Sequence, residues 1–391
     1  MAANNNMLWI NFLHFYQPAT LDREIIIEAI EKSYQRIIQS LKKHGNAKIT
    51  INIQGCLLEK INELGYASLL RDIKTLIQKG QIEITGSAAY HPILPLINSH
   101  EAEKQIKLQE QIIKKYFGEI KLTGFFMPEM AYSAASAKLI KKLGYEWIML
   151  DEISGSGKIG ALDCSRPYMD NDSGLKIIFR QREISQTYVP QKISEIILNE
   201  KNKTIITATD AELYGLRHID VSGHFGRLLS NPDIKTVLIS DFTKDNNNLK
   251  KITLIPSSWE STSRELNSGL PYALWYNKKN KIQKKIWQLA DMAMEASQRY
   301  KNDPQKKWAQ WHLNRGLASC TFWWASGKKI SLWNNLSWNP DEIERGVEEL
   351  IKSIRALDDI VTRPAKIKAE KLYIKIKKII WKRHWGYFWK K

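Results

Sequence analysis

Apolar residues fall along the chain in two alternating rhythms. Short β-rich runs, LWINFLH (8–14), AKITINI (47–53), QIEIT (81–85), KLTGFF (121–126), YEWIML (145–150), LKIIFR (175–180), TIITAT (204–209) and TVLIS (236–240), predict strands. Between them lie helix-length segments at 22–43, 57–79, 99–117, 133–143 and about 219–230. Strands separated by helices need crossover connections, which predict a largely parallel sheet closed into a barrel of seven or eight strands. From about Pro256 the pattern changes to helices carrying many tryptophans, as in WAQWHLNRGLASCTFWWAS. The expected division is a β/α barrel over residues 1–250 and a helical, Trp-rich domain with a basic tail over 251–391.

A parallel barrel places its chemistry at the C-terminal ends of its strands, so the residues that follow each run are the ones to inspect. They are His14, Tyr16 and Gln17; Gln54; Tyr90 and His91; Glu129; Asp151 and Glu152; Arg180; Asp210 and Glu212. Acids, imidazoles and amides from successive strand ends suit a site for a polyhydroxylated substrate, and burying them without a use would be expensive. In GFFMPEMAYS (124–133), Glu129 is set between Pro128 and apolar neighbours, and in TATDAELYG (207–215), Asp210 leaves an apolar strand with Glu212 two residues on. Two carboxylates from different strand ends are the equipment of glycoside hydrolysis, one attacking or supporting the anomeric carbon while the other protonates the leaving oxygen.

These segments resemble the motifs of glycoside hydrolase family 57. HFYQP (14–18) resembles the first motif, His-x-His-Gln-Pro, with Tyr16 in place of the second histidine; GQIEITGSAAYHPILPLI (80–97) resembles the second, GFFMPEMAYS the third and DAELYG (210–215) the fourth. The resemblance implies an incomplete (β/α)7 barrel followed by a C-terminal helical domain, and a retaining enzyme that hydrolyses or transfers α-glucan. It implies Glu129 as nucleophile and Asp210 as proton donor, with His14, Gln17, Glu83 and His91 lining or bracing the sugar cleft. Sugar rings stack on indoles, and Trp323 or Trp324, with Trp259, are expected to reach the cleft. Two departures bear on subsites: Gly215 is followed by Leu216, Arg217 and His218 where the fourth motif often reads Gly-His-His, and ASCTFWWAS (318–326) offers no acid where the fifth often has one.

Composition narrows the alternatives. No run approaches the roughly 18 apolar residues of a membrane span. The opening MAANNNMLWINFLHFYQP lacks a basic n-region and a cleavage site, and three scattered cysteines suit a reducing compartment, so a cytoplasmic location is expected. A net charge of +18 favours polyanions in general, but no zinc-finger spacing, RNP-type motif or Walker loop singles out a nucleic acid. The end of the chain, KAEKLYIKIKKIIWKRHWGYFWKK, interleaves basic and aromatic residues and is expected to dock as an amphipathic helix, with weak contact to an anionic surface as the other use. The partner expected is an oligo- or polysaccharide, with no cofactor and no obligatory metal. Two rival readings remain: a metal-dependent polysaccharide deacetylase-like enzyme, against which none of the eight histidines pairs at a four-residue spacing, and a catalytically inactive glycan-binding or membrane-associated protein on the same fold.

Overall fold

A computed structural model describes residues 6–199, 203–244, 249–328 and 337–388. Its strands are β1 (Met7–Phe15), β2 (Ile49–Ile53), β3 (Ile82–Ile84), β4 (Gly124–Phe126), β5 (Trp147–Asp151), β6 (Tyr168–Asp170), β7 (Lys176–Arg180), β8 (Thr204–Asp210), β9 (Ile234–Thr236) and β10 (Lys250–Ile252). Seven of them form the ring. Parallel ladders join β3, β2, β1 and β8 in one arc and β4, β5 and β7 in another. The arcs meet at two thin joints. Gly86 bridges to Phe125, with Phe126 N donating to Gly86 O at 2.9 Å, and Gln181 N donates to Ile206 O at 3.0 Å. Strands buried on both faces read as continuous apolar runs, as β1 does; β2 (ITINI) is equally buried yet alternates, because Thr50 and Asn52 are hydrogen-bonded to Glu83 and His14.

The run 236–240 does not supply an eighth barrel strand. β9 pairs with Met7–Trp9 at the start of β1, and Ile239–Lys244 then winds into a helix. The cause lies inside the barrel: Thr50 Oγ1 and a Glu83 carboxylate oxygen accept the backbone N–H groups of Ile239 and Ser240, satisfying donors that a first helical turn leaves free. The predicted helix 57–79 is two helices, Gly55–Glu63 and Ala67–Gln78, broken at Gly65, whose φ of 90° suits glycine. The polar stretch KDNNNLK (244–250), which reads as a turn, lies largely outside the described residues.

Beyond β10 the chain crosses the rim through residues 253–262 and then forms helices Lys281–Arg299, Lys306–Gly316, Ser319–Trp323, Pro340–Arg355 and Arg363–Phe388. Asn280 and Asn339 cap two of them through their side-chain oxygens. A Cβ at Gly346 would run into Thr321, so the glycine lets the short helix Ser319–Trp323 lie close against Pro340–Arg355. The last helix buries Ala369, Ile376 and Ile380 in the same apolar core that lines one side of the barrel, while Ile374 and Trp385 stay exposed. No helix among the described residues is long and apolar enough to cross a membrane.

Candidate active site

Glu129 stands on the turn after β4 with φ 59°, and Met130 beside it has φ 47°. Such angles are unfavourable for residues with a Cβ and persist only where surroundings impose them. Here Met130 N donates to Met127 O at 2.7 Å, and Trp259 N donates to Glu129 O at 3.1 Å. The side chain is nearly buried, and both of its oxygens are held: Trp259 Nε1 donates to Oε2 at 2.8 Å and Ser319 Oγ to Oε1 at 2.8 Å. Burial pushes its pKa up to about 8, the Asp210 charge adds to the rise, and the Ser319 and Trp259 donors oppose it.

A ladder of rings leads to this carboxylate. Phe12 stacks on Phe126 at 5.3 Å, Phe126 packs on His14 at 4.5 Å, His14 stacks on His91 at 4.9 Å and His91 on Tyr16 at 4.1 Å. Nδ1 of His14 bonds to Asn52 Oδ1 at 2.8 Å, and Nδ1 of His91 meets Ser319 Oγ at 2.9 Å. Burial takes His14 down to about 4 and His91 well below the ordinary imidazole value, so both rings are neutral at neutral pH. Their Nε2 atoms and the Tyr16 hydroxyl are buried without a hydrogen-bond partner among the described residues. Unsatisfied polar atoms in one place are costly unless something else meets them.

Asp210 ends β8 directly opposite His14 in the β1–β8 register. Its Oδ2 pairs with Arg217 Nη1 at 3.1 Å. Glu212, just beyond, is buried one layer behind: it accepts from Gln17 Nε2 at 2.8 Å and from the Tyr34 hydroxyl, and Ser33 Oγ donates to Ala211 O at 2.6 Å. Ser33 and Tyr34 lie on a π-helical turn, Ile30–Tyr34, that interrupts the helix after β1. Burial first, and Asp210 second, raise Glu212 to about 7.

The pocket beside Asp210 is lined by Arg180, Ser185, Gln186, Thr209, Trp259 and Glu260. Asp151, at the end of β5, is spent on holding that wall: it pairs with Arg180 at 2.7 Å and Arg182 at 2.7 Å, all three side chains being buried. The two guanidinium groups then donate to Trp259 O at 3.2 Å and Ser261 O at 2.7 Å, and Arg180 lies 5.0 Å above the Trp259 ring. Glu152 is likewise structural, accepting Arg182 N at 2.8 Å.

The structure therefore brings together Glu129, Asp210, His14, His91 and Trp259, with Gln17 behind them. It does not bring in Glu83, whose carboxylate bonds Thr50, Thr123 and Ser240 toward the N-terminal ends of the strands, below the rim. Trp323 and Trp324 pack edge to face on each other at 4.4 Å against the helical core, outside the lining of the Asp210 pocket. The same segment delivers Ser319 instead. Ser319, Glu260 and Arg217 were missed as site residues; a small polar residue in ASCTFWWAS carries no signal of its own, whereas the arginine in the fourth segment did stand out as a departure.

The sequence model of Glycosyl hydrolase family 57 matches residues 12–255. An α-amylase from Pyrococcus horikoshii is 30% identical over 175 residues, which are 43% of this chain and 27% of that protein. The chain thus spans little more than a quarter of that relative's length. The crystal structure of a 4-α-glucanotransferase from Thermococcus litoralis superposes with a TM-score of 0.71 at 18% identity, covering 90% of this chain and 60% of that one. A branching enzyme from P. horikoshii superposes with a TM-score of 0.68 at 17% identity over 96% of both chains. At these identities the two structures report the shared fold.

Proposed function

Because the chain belongs to glycosyl hydrolase family 57, we propose that it is a retaining glycosidase or glycosyltransferring enzyme acting on α-glucan by double displacement. Residues 1–250 form its catalytic unit and residues 251–391 the helical unit that closes over the cleft. The observation that carries this reading is the meeting of two carboxylates at Trp259. The indole N–H grips Glu129, and the same side chain lines the pocket that contains Asp210. The substrate class is supported by the α-amylase and 4-α-glucanotransferase to which the chain is similar.

In this mechanism the ionised Glu129 attacks the anomeric carbon while Asp210 protonates the departing oxygen, and Asp210 as carboxylate then activates the acceptor that releases the sugar. Water as acceptor gives hydrolysis, and a sugar hydroxyl gives transfer. Trp259 and Ser319 stabilise the Glu129 carboxylate against its burial, and the bare Nε2 atoms of His14 and His91 are acceptors suited to sugar hydroxyls. The deacetylase reading has no donor set behind it, since no three His, Cys, Asp or Glu side chains among the described residues could together hold a metal ion. The experiment is incubation of wild-type and Glu129→Gln protein with maltoheptaose followed by sizing of the products. Shorter products alone mean hydrolysis, longer ones mean transfer, and both must vanish in the variant; untouched maltoheptaose with the wild type refutes the reading.

A further inference from the structure

Ser319 opens a short helix far along the chain from either carboxylate, yet it is fully buried against the candidate nucleophile. Its backbone N–H donates to His91 O at 2.9 Å, and Ala318 bridges to Pro92, so its place is set by the loop after β3. A hydroxyl has one proton to give. The ionised Glu129 carboxylate can only accept, so that proton goes to Oε1 at 2.8 Å. The contact of 2.9 Å between Ser319 Oγ and His91 Nδ1 must then be closed by an N–H on the imidazole. A neutral ring protonated on Nδ1 carries no proton on Nε2, the atom left without a partner.

We propose that Ser319 is a positioning residue for the nucleophile, its hydroxyl fixing the direction of a hydrogen-bond chain from His91 Nδ1–H through Ser319 Oγ–H to Glu129 Oε1. The chain sets the orientation of the carboxylate and the tautomer of His91 together. This rests on the reading of Glu129 as nucleophile. The other groups facing Glu129 are Trp259, which donates to its second oxygen, and Asp210 and Glu260, whose charges oppose its ionisation. His14 faces the far side of the His91 ring, and Tyr16 and Cys320 lie alongside.

The test uses Ser319→Ala and Ser319→Thr in the full chain, with thermal melting to verify that each folds. On maltoheptaose, Ser319→Ala should lose roughly ten- to a hundred-fold in kcat with KM changed less than about three-fold. The acid limb of its kcat/KM profile should move to higher pH, because a donor that favoured the carboxylate is gone. Ser319→Thr keeps the hydroxyl and should recover most of both. Nitrogen-15 NMR of the His91 ring, recorded on the alkaline side of the Glu129 pKa of about 8 so that the carboxylate is ionised and assigned with His91→Gln, reads the tautomer without any substrate: Nδ1–H in the wild type, released toward Nε2–H in Ser319→Ala. An Nε2–H ring in the wild type overturns the proposal, as does an active enzyme in which Ser319→Ala leaves kcat and the acid limb unchanged. Should the wild type turn over no glucan, the functional reading falls while the NMR result alone still decides the hydrogen-bond chain.

Discussion

Replacing Trp259 by Phe removes the indole N–H and part of the ring volume while keeping an aromatic side chain against His14 and Phe126. The ring stays beneath Arg180, and the backbone bond from residue 259 to Glu129 O stays in place. What is lost is the 2.8 Å donation from the indole to Glu129 Oε2. A hydrogen bond to a charged group contributes about 1.5–3 kcal/mol, and one pKa unit corresponds to about 1.4 kcal/mol, so the loss should lift the Glu129 pKa by roughly one to two units. In the wild type burial already holds that pKa near 8, so attack by the carboxylate is favoured as pH rises through the neutral range. In the variant the rise is displaced upward, and at neutral pH kcat/KM on maltoheptaose should fall roughly ten- to a hundred-fold. Above the displaced limb the difference should narrow to the part that reflects orientation alone. The assay is kcat/KM for both proteins across the pH range over which they stay folded. Coincident acid limbs would refute the reasoning, because they would mean that the indole does not stabilise the ionised nucleophile.

Further outcomes follow from other contacts. Asp210→Ala should abolish action on maltoheptaose while retaining much more of the first step on an aryl glycoside whose leaving group needs no proton; equal losses on both substrates would remove Asp210 from the acid role. Asp151→Asn leaves two buried arginines short of their counter-charge and should cost about 3–5 kcal/mol in denaturant unfolding, and a loss under about 1 kcal/mol would show that the wall does not depend on it. Glu212 is raised by burial to about 7 from an ordinary glutamate value of 4.5, so the native state holds a proton that the unfolded chain releases. Its contribution is fully present below the unfolded value and is lost as pH rises through about 7. Glu212→Gln, which can still accept from Gln17 and Tyr34, should therefore gain about 2 °C or more in Tm on the wild type in going from acid to alkaline pH, and a Tm difference independent of pH would contradict the assignment.

The barrel was legible because its signal is local: each buried strand is a run of apolar residues, and each catalytic candidate follows such a run directly. β1, β2, β5 and β8 came out within two residues of their observed bounds, and strand-end position plus motif singled out Glu129 and Asp210 as candidates. The run at 236–240 misled because its backbone donors are met by Thr50 and Glu83, partners about 150 to 190 residues away that no window of sequence contains. The partners of Glu83 are equally remote; its motif suggested that it lines or braces the cleft, and its oxygens bond Thr50, Thr123 and Ser240 beneath the rim. Asp151 and Glu152 sat at a strand end as expected, but only the positions of Arg180 and Arg182 reveal that they are structural. Tryptophan type drew attention to the segment around Trp323, whereas what reaches Glu129 is the start of that helix, Ser319, a residue type that carries no such signal.

The non-glycine residues with positive φ among the described residues are His91, Glu129 and Met130, all in the two loops that build the site. The carbonyls of His91 and Glu129 are each tied down by a backbone N–H from beyond residue 255: Ser319 N to His91 O and Trp259 N to Glu129 O. The same two residues, Ser319 and Trp259, also donate their side-chain protons to the Glu129 carboxylate. Strained backbone of this kind costs about 1–3 kcal/mol per residue and holds only where neighbours over-determine it. The region that matches the family, residues 12–255, supplies both carboxylates but neither of these clamps. On the proposed function the barrel carries the reacting groups, and the later segments set the conformation and charge in which Glu129 would act. Divergence in those segments, including the absence of an acid in 318–326, should tune the nucleophile as well as the sugar subsites.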